Sequence, residues 1–87
     1  MKITISSRAE KELKKIPKSD QIAVAKKIRL LVSLSVIGEE KLSGFKNIYR
    51  VRIGNNRLVY RKTENEIYVV LIGHRKDIYD LLTRFLR

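Results

Sequence analysis

Residues 48–62, IYRVRIGNNRLVYRK, and the stretch GHRKDIY at 73–79 hold the side chains best suited to chemistry. Along an extended Ile48–Ile53, Tyr49, Val51 and Ile53 project to one side, while Arg50 and Arg52 project to the other. Gly54-Asn55-Asn56 supplies residues that tolerate positive φ, so a second alternating run, Arg57–Lys62, folds back as a hairpin. Leu58 and Tyr60 then join the apolar side, and Arg57, Val59 and Arg61 join the arginines. Guanidinium groups keep their charge and donate in a fixed fork, so such a face suits phosphate. The same alternation also describes a solvated sheet face. Solvated faces ordinarily mix acids with bases, and this one has no acid among its strand positions.

Around this face lie further candidates. Arg75 and Tyr79 follow the last apolar run, and Lys41, Lys46 and Lys76 flank the strands as additional contacts for phosphates. The spacing of Tyr79 from Leu82 also lets it pack along a helix face. His74 carries an imidazole, the side-chain type most used to take up a proton in catalysis. Its other reading is a strand-end histidine bonded to backbone. Glu64 and Glu66 fall at the far turn, so no acid–base pair of carboxylates is visible.

Composition narrows the function classes. At 87 residues the chain suffices for one core and one domain, residues 1–87. Its 20 Lys and Arg against 9 Asp and Glu give +11, of which residues 41–87 carry +7. A surplus this large points to a polyanion, nucleic acid first, because each cation docked on a phosphate releases counterions. No stretch has membrane-spanning length, and the N-terminus MKITISSRAEK lacks an apolar leader, so the expected location is the cytosol with no membrane partner. There is no cysteine, and a lone histidine cannot assemble a zinc site, so no metal or cofactor is expected.

The elements that position these residues follow from periodicity. Lys2–Ile5 alternates as a short strand, and Ser7 with Glu10 has capping-box spacing for a helix carrying Ala9, Leu13 and Ile16 on one stripe. Pro17 ends it. Ser19 or Asp20 can cap a second helix, with Val24, Ala25, Ile28, Leu31, Val32 and Ser35 on its apolar stripe. Residues 39–47 read as a polar connection with Leu42 and Phe45 tucked under the sheet, and IYVVLI at 67–72 as a buried central strand. Asp77 can cap a terminal helix that packs through Ile78, Leu81, Leu82 and Phe85. The expected fold is α+β, in the order β-α-α-β-β-β-α. It comprises an antiparallel sheet of about four strands, with the helices, a pair and a short terminal one, laid on one face.

Four elements in order, KLSG at 41–44, YRVR at 49–52, RLVY at 57–60 and HRKDIY at 74–79, resemble the RelE branch of the RelE/ParE toxin superfamily of type II toxin–antitoxin pairs. The resemblance spans almost the whole chain. It implies an endoribonuclease that enters the ribosomal A site and cuts mRNA, inhibiting translation, and a cognate antitoxin that wraps the toxin. A toxin–antitoxin hetero-oligomer on operator DNA belongs to the same expectation. Residue by residue, the resemblance places Arg50 and Arg52 at the two basic positions of the second strand and Arg57 at the third-strand arginine. Arg75 falls at the arginine after the last strand, and Tyr79 at the base-stacking tyrosine. Some relatives carry a lysine where Arg52 stands, and a lysine can serve as general base whereas arginine does not deprotonate; hence the interest of His74. Two alternatives stay open: a ParE-like inhibitor of DNA gyrase, and an RNA-binding relative without catalysis.

Overall fold

The two-residue loop Gly54-Asn55 sets the frame of the molecule. Gly54 has φ +59°, the left-handed conformation that this kind of hairpin asks of its first loop residue, and Ile53 pairs with Asn56 to close the turn. The computed structural model describes residues 2–32 and 38–85. Within it β3 (Ile48–Ile53) and β4 (Asn56–Lys62) pair antiparallel, with Tyr49 opposite Tyr60, Val51 opposite Leu58 and Arg52 opposite Arg57. That register puts the arginines on one face, as alternation requires.

β5 (Glu66–His74) runs antiparallel to β4, and β1 (Lys2–Ile5) lies along the far side of β5. The sheet has five strands in the order β1-β5-β4-β3-β2, one more than expected, and β1 runs parallel to β5. The fifth strand, β2 (Glu40–Lys41), is too short to carry any periodicity of its own. The parallel end is pinned at Ser6: its N–H donates to Val69 O (2.9 Å) and its hydroxyl to Val70 O (2.7 Å).

Ser6 also corrects the first helix boundary. Its Oγ accepts from Ala9 N–H at 3.0 Å, so α1 (Ser7–Lys15) is capped by Ser6 rather than Ser7. The chain extends at Ile16 because Pro17 disfavours a helical residue before it. α2 (Lys18–Leu30) then starts at once, with Pro17 at its cap position and no side-chain cap bond. Ser19 and Asp20 therefore lie inside its first turn. Ala9, Val24, Ile28 and Leu31 bury against Val51, Leu58, Tyr60 and Val69 on one sheet face. Val32, past the helix end, is exposed, and Ser35 and the Phe85 side chain lie outside the described residues.

The third helix departs from expectation. α3 (Ile78–Phe85) packs Ile78 and Leu82 on Ile48, Val59, Val70 and Leu71, the face that also carries the arginines, so helices cover both sides of the sheet. Two features permit this. A bulge between β4 and β5 sets Val59 and Tyr60 opposite three residues, Val69 to Leu71, and turns both Val70 and Leu71 into the second core. Gly73 leaves room: a Cβ there would lie 3.1 Å from Leu81 Cδ1 and 3.3 Å from Ile78 Cδ1. Leu42 and Phe45 pack against this second core, as their spacing implied.

Candidate active site

Where α3 stops covering its face, the uncovered end of the sheet is a hollow of about 180 Å³, lined by Gly38, Glu40, Arg50, Arg52, Arg57, Arg75 and Tyr79. Each arginine arrives by a different route. Arg50 and Arg52 are alternate residues of β3, and Arg57 faces Arg52 from β4. Arg75 follows β5, held beside the hairpin loop by its N–H donating to Asn55 O at 2.9 Å. Tyr79 is brought over the sheet by the first turn of α3, where Arg50 Cζ lies 5.4 Å from its ring centroid. The ring remains 54 % exposed.

The electrostatics are one-sided. Glu40, opposite Arg50 across β2 and β3, accepts from Arg50 Nη2 at 2.7 Å. Among the described residues it is the single carboxylate lining the hollow, against four guanidinium groups. Among the described residues, no carboxylate forms an ion pair with Arg52, Arg57 or Arg75. Arg57 feels the crowding most: burial, then the charges of Arg52, Arg50 and Arg75, hold its pKa below the usual arginine range, with Glu40 opposing. Its Nη1 donates to Asn56 O at 3.1 Å and weakly to Gly54 O at 3.4 Å, which fixes the guanidinium at the hairpin end. A phosphoryl group bound here would offset the repulsion.

The remaining candidates lie elsewhere. His74 sits one residue beyond Gly73 and so turns to the opposite face, lining a separate hollow with Glu12, Asp20, Asn56 and Asp77. Its Nδ1 accepts from Lys76 N–H at 3.2 Å, the backbone-bonded reading of a strand-end histidine. The expectation that His74 accompanies Arg75 in the site is therefore corrected by strand alternation. Arg61 is on the arginine face but at its far end, where it and Lys46 line another hollow with Phe45. Lys41, paired with Tyr49, falls on the helix-pair side and is exposed. Lys76 is exposed in the turn after Arg75. Conversely, Glu40 was missed, because nothing in its spacing shows that a two-residue strand joins β3 there. Among the described residues no cluster of three or more His, Cys, Asp or Glu could hold a metal, and no helix is long and apolar enough to cross a membrane.

The five-stranded mixed sheet with helices on both faces is the fold of a toxin class. The chain belongs to the RelE/ParE superfamily of type II toxin–antitoxin toxins: the family described as ParE toxin of the type II toxin–antitoxin system, parDE, matches residues 3–79. Toxin RelE3 of Methanocaldococcus jannaschii is 30% identical over 89 residues, covering 92% of this chain and 97% of the relative. Among solved structures, the RelB–RelE antitoxin–toxin complex of Methanococcus jannaschii matches with a TM-score of 0.77 at 27% identity, over 90% of this chain and 96% of that one. The YoeB dimer of Staphylococcus aureus matches with a TM-score of 0.72 at 26% identity, over 86% and 97%. Isolated E. coli RelE, at 22% identity and a TM-score of 0.71 over 99% and 98%, shares the fold. The protein is thus a type II toxin of the RelE kind.

Proposed function

We propose that this toxin is an endoribonuclease acting on mRNA engaged by the ribosome. The observation that carries the reading is the convergence of Arg50, Arg52, Arg57 and Arg75 with Tyr79 and one carboxylate around a single hollow. In the reaction the 2′-oxygen attacks the adjacent phosphorus and the P–O5′ bond breaks, leaving a 2′,3′-cyclic phosphate and a 5′-hydroxyl. Negative charge builds on the phosphoryl oxygens, and preorganised guanidinium groups stabilise it without reorganisation. Arg57 and Arg75 serve that role, and Arg50 and Arg52 hold the scissile and flanking phosphates. Tyr79 stacks on a base and turns the nucleotides toward in-line geometry.

The proton of the 2′-hydroxyl needs an acceptor. Glu40 is the carboxylate among the described lining side chains, so it takes the proton, and the 5′-oxygen leaves with one from water. Arg61, Lys46, Lys41 and Lys76 supply contacts to other phosphates, which need no base specificity. The partner is a cognate antitoxin. Its acidic or amphipathic segment would meet the +11 charge, and relatives crystallise as such pairs. The pair as a hetero-oligomer on its operator DNA is the same proposal's second form, and the cytoplasm is its location.

Mapping cut sites on messages in a translation reaction, with and without ribosomes, tests this. Cleavage confined to ribosome-engaged mRNA, and lost in Arg57→Ala and Arg75→Ala proteins that still fold, is expected; intact toxicity in both variants overturns it. The ParE description of the matching family favours a second reading, gyrase inhibition. That reading predicts DNA damage on expression while translation initially continues.

A further inference from the structure

Glu39 and Glu40 are consecutive, yet their carboxylates are held on opposite faces of the sheet. Glu40 reaches Arg50 in the arginine hollow. Glu39 turns to the helix-pair side, where it accepts from the Tyr60 hydroxyl and from Lys62 Nζ at 3.0 and 3.2 Å. The two attachments differ in strength. Glu40 is 64 % exposed and has one partner, the kind of surface pair worth at most about 1 kcal/mol. Glu39 is 16 % exposed and sits among three donor contacts to fixed groups.

Those groups are rigid for identifiable reasons. Tyr60 is wholly buried and stacks on Tyr49 with centroids 6.1 Å apart at 19°. Lys62 Nζ stands 5.3 Å from the Tyr49 ring centroid, so its ammonium is held by a ring as well as by a carboxylate. Burial, then the hydrogen bond and charge of Glu39, raise the Tyr60 pKa, so the phenol stays protonated and keeps donating. By contrast β2 is two residues long, with its edge extended by the Leu42 N–H bond to Ile48 O at 2.9 Å. Its ladder alone is a weak fixture for a side chain that must hold one geometry.

We infer that Glu39, clamped by Tyr60 and Lys62, is a positioning residue that holds Glu40 in the arginine hollow. The inference deepens the ribonuclease reading and rests on it for the role of Glu40, but the clamp itself is a statement about geometry.

The test uses Glu39→Gln and Lys62→Met, with Lys62→Arg as the conservative variant, each alone and in a Glu40→Gln background. Single-turnover cleavage of ribosome-bound mRNA should slow by roughly 10- to 100-fold in Glu39→Gln and Lys62→Met, with RNA binding held within a few fold. Lys62→Arg should restore most of the rate. In the Glu40→Gln background neither substitution should slow cleavage further. An equal slowing there, or none in the parent, overturns the inference. The arm independent of activity follows the Arg50 guanidinium resonances by NMR: they should lose their Glu40-paired positions in Glu39→Gln and Lys62→Met and regain them in Lys62→Arg. If wild-type protein cuts no RNA, the ribonuclease reading fails, and unmoved Arg50 resonances separately overturn the clamp.

Discussion

Arg52 stands directly opposite Arg57 across the β3–β4 ladder, like charge facing like charge. Cross-strand pairs of one sign destabilise a sheet, and Arg50 and Arg75 add to the repulsion at Arg57. Surfaces that serve only solubility have no use for that arrangement. A site for phosphoryl oxygens does, since bound anion removes the repulsion and leaves the donors already in place.

Removing one of these donors should be costly for rate and cheap for stability. Arg57→Ala or Arg75→Ala should lower cleavage by roughly 100- to 1000-fold, while thermal unfolding stays within a few degrees of wild type. Arg61→Ala, at the far end of the same face, should change the rate by less than about tenfold, with its effect in binding. Parallel cleavage and melting measurements on the three variants check this.

Affinity for single-stranded RNA should fall steeply with salt. If the four hollow arginines neutralise three to four phosphates, log K against log salt concentration should have a slope of about −2 to −3. Arg52→Ala should reduce the magnitude of that slope by somewhat under one, as fluorescence anisotropy over a salt series would show.

Gly73 is needed for space rather than for backbone freedom. Its missing Cβ is what lets Ile78 and Leu81 close on β5, and Tyr79 lies between those two residues in the chain. Gly73→Val should cost about 1–3 kcal/mol through overpacking and should also weaken RNA binding by shifting α3. Denaturant unfolding gives the first effect and a binding titration the second.

Tyr60 makes stability fall in alkali. Its folded pKa is raised, so its contribution is complete below the unfolded tyrosine pKa of about 10 and declines as pH rises beyond that. There the unfolded chain has lost a proton that the folded chain keeps, and the decline steepens by up to roughly 1.4 kcal/mol per pH unit. Tyr60→Phe keeps the buried ring but should flatten the curve above pH 10, measured by urea unfolding at a series of pH values. At pH 7 the same variant loses the Glu39 bond and should be less stable by about 1 kcal/mol.

The sequence by itself determined what short-range rules control. Alternation and the Gly54 turn put Arg50, Arg52 and Arg57 on one face, the unbroken IYVVLI run made β5 a buried strand with neighbours on both sides, and Pro17 separated two helices. Arg75 and Tyr79 were candidates through the family resemblance of the HRKDIY element, and both line the hollow. Tertiary structure alone decided the rest. The face under α3 turned on a bulge at Val59 and Tyr60 and on the bare Cα of Gly73. His74 lost its place in the hollow to alternation one step past that glycine, and Glu40 gained one because a two-residue strand pairs with β3. The direction of β1 was fixed by Ser6 bonding to Val69 and Val70, more than 60 positions away. Local periodicity carries no information about which distant backbone satisfies a given N–H, and it is that satisfaction which sets the far-reaching contacts here.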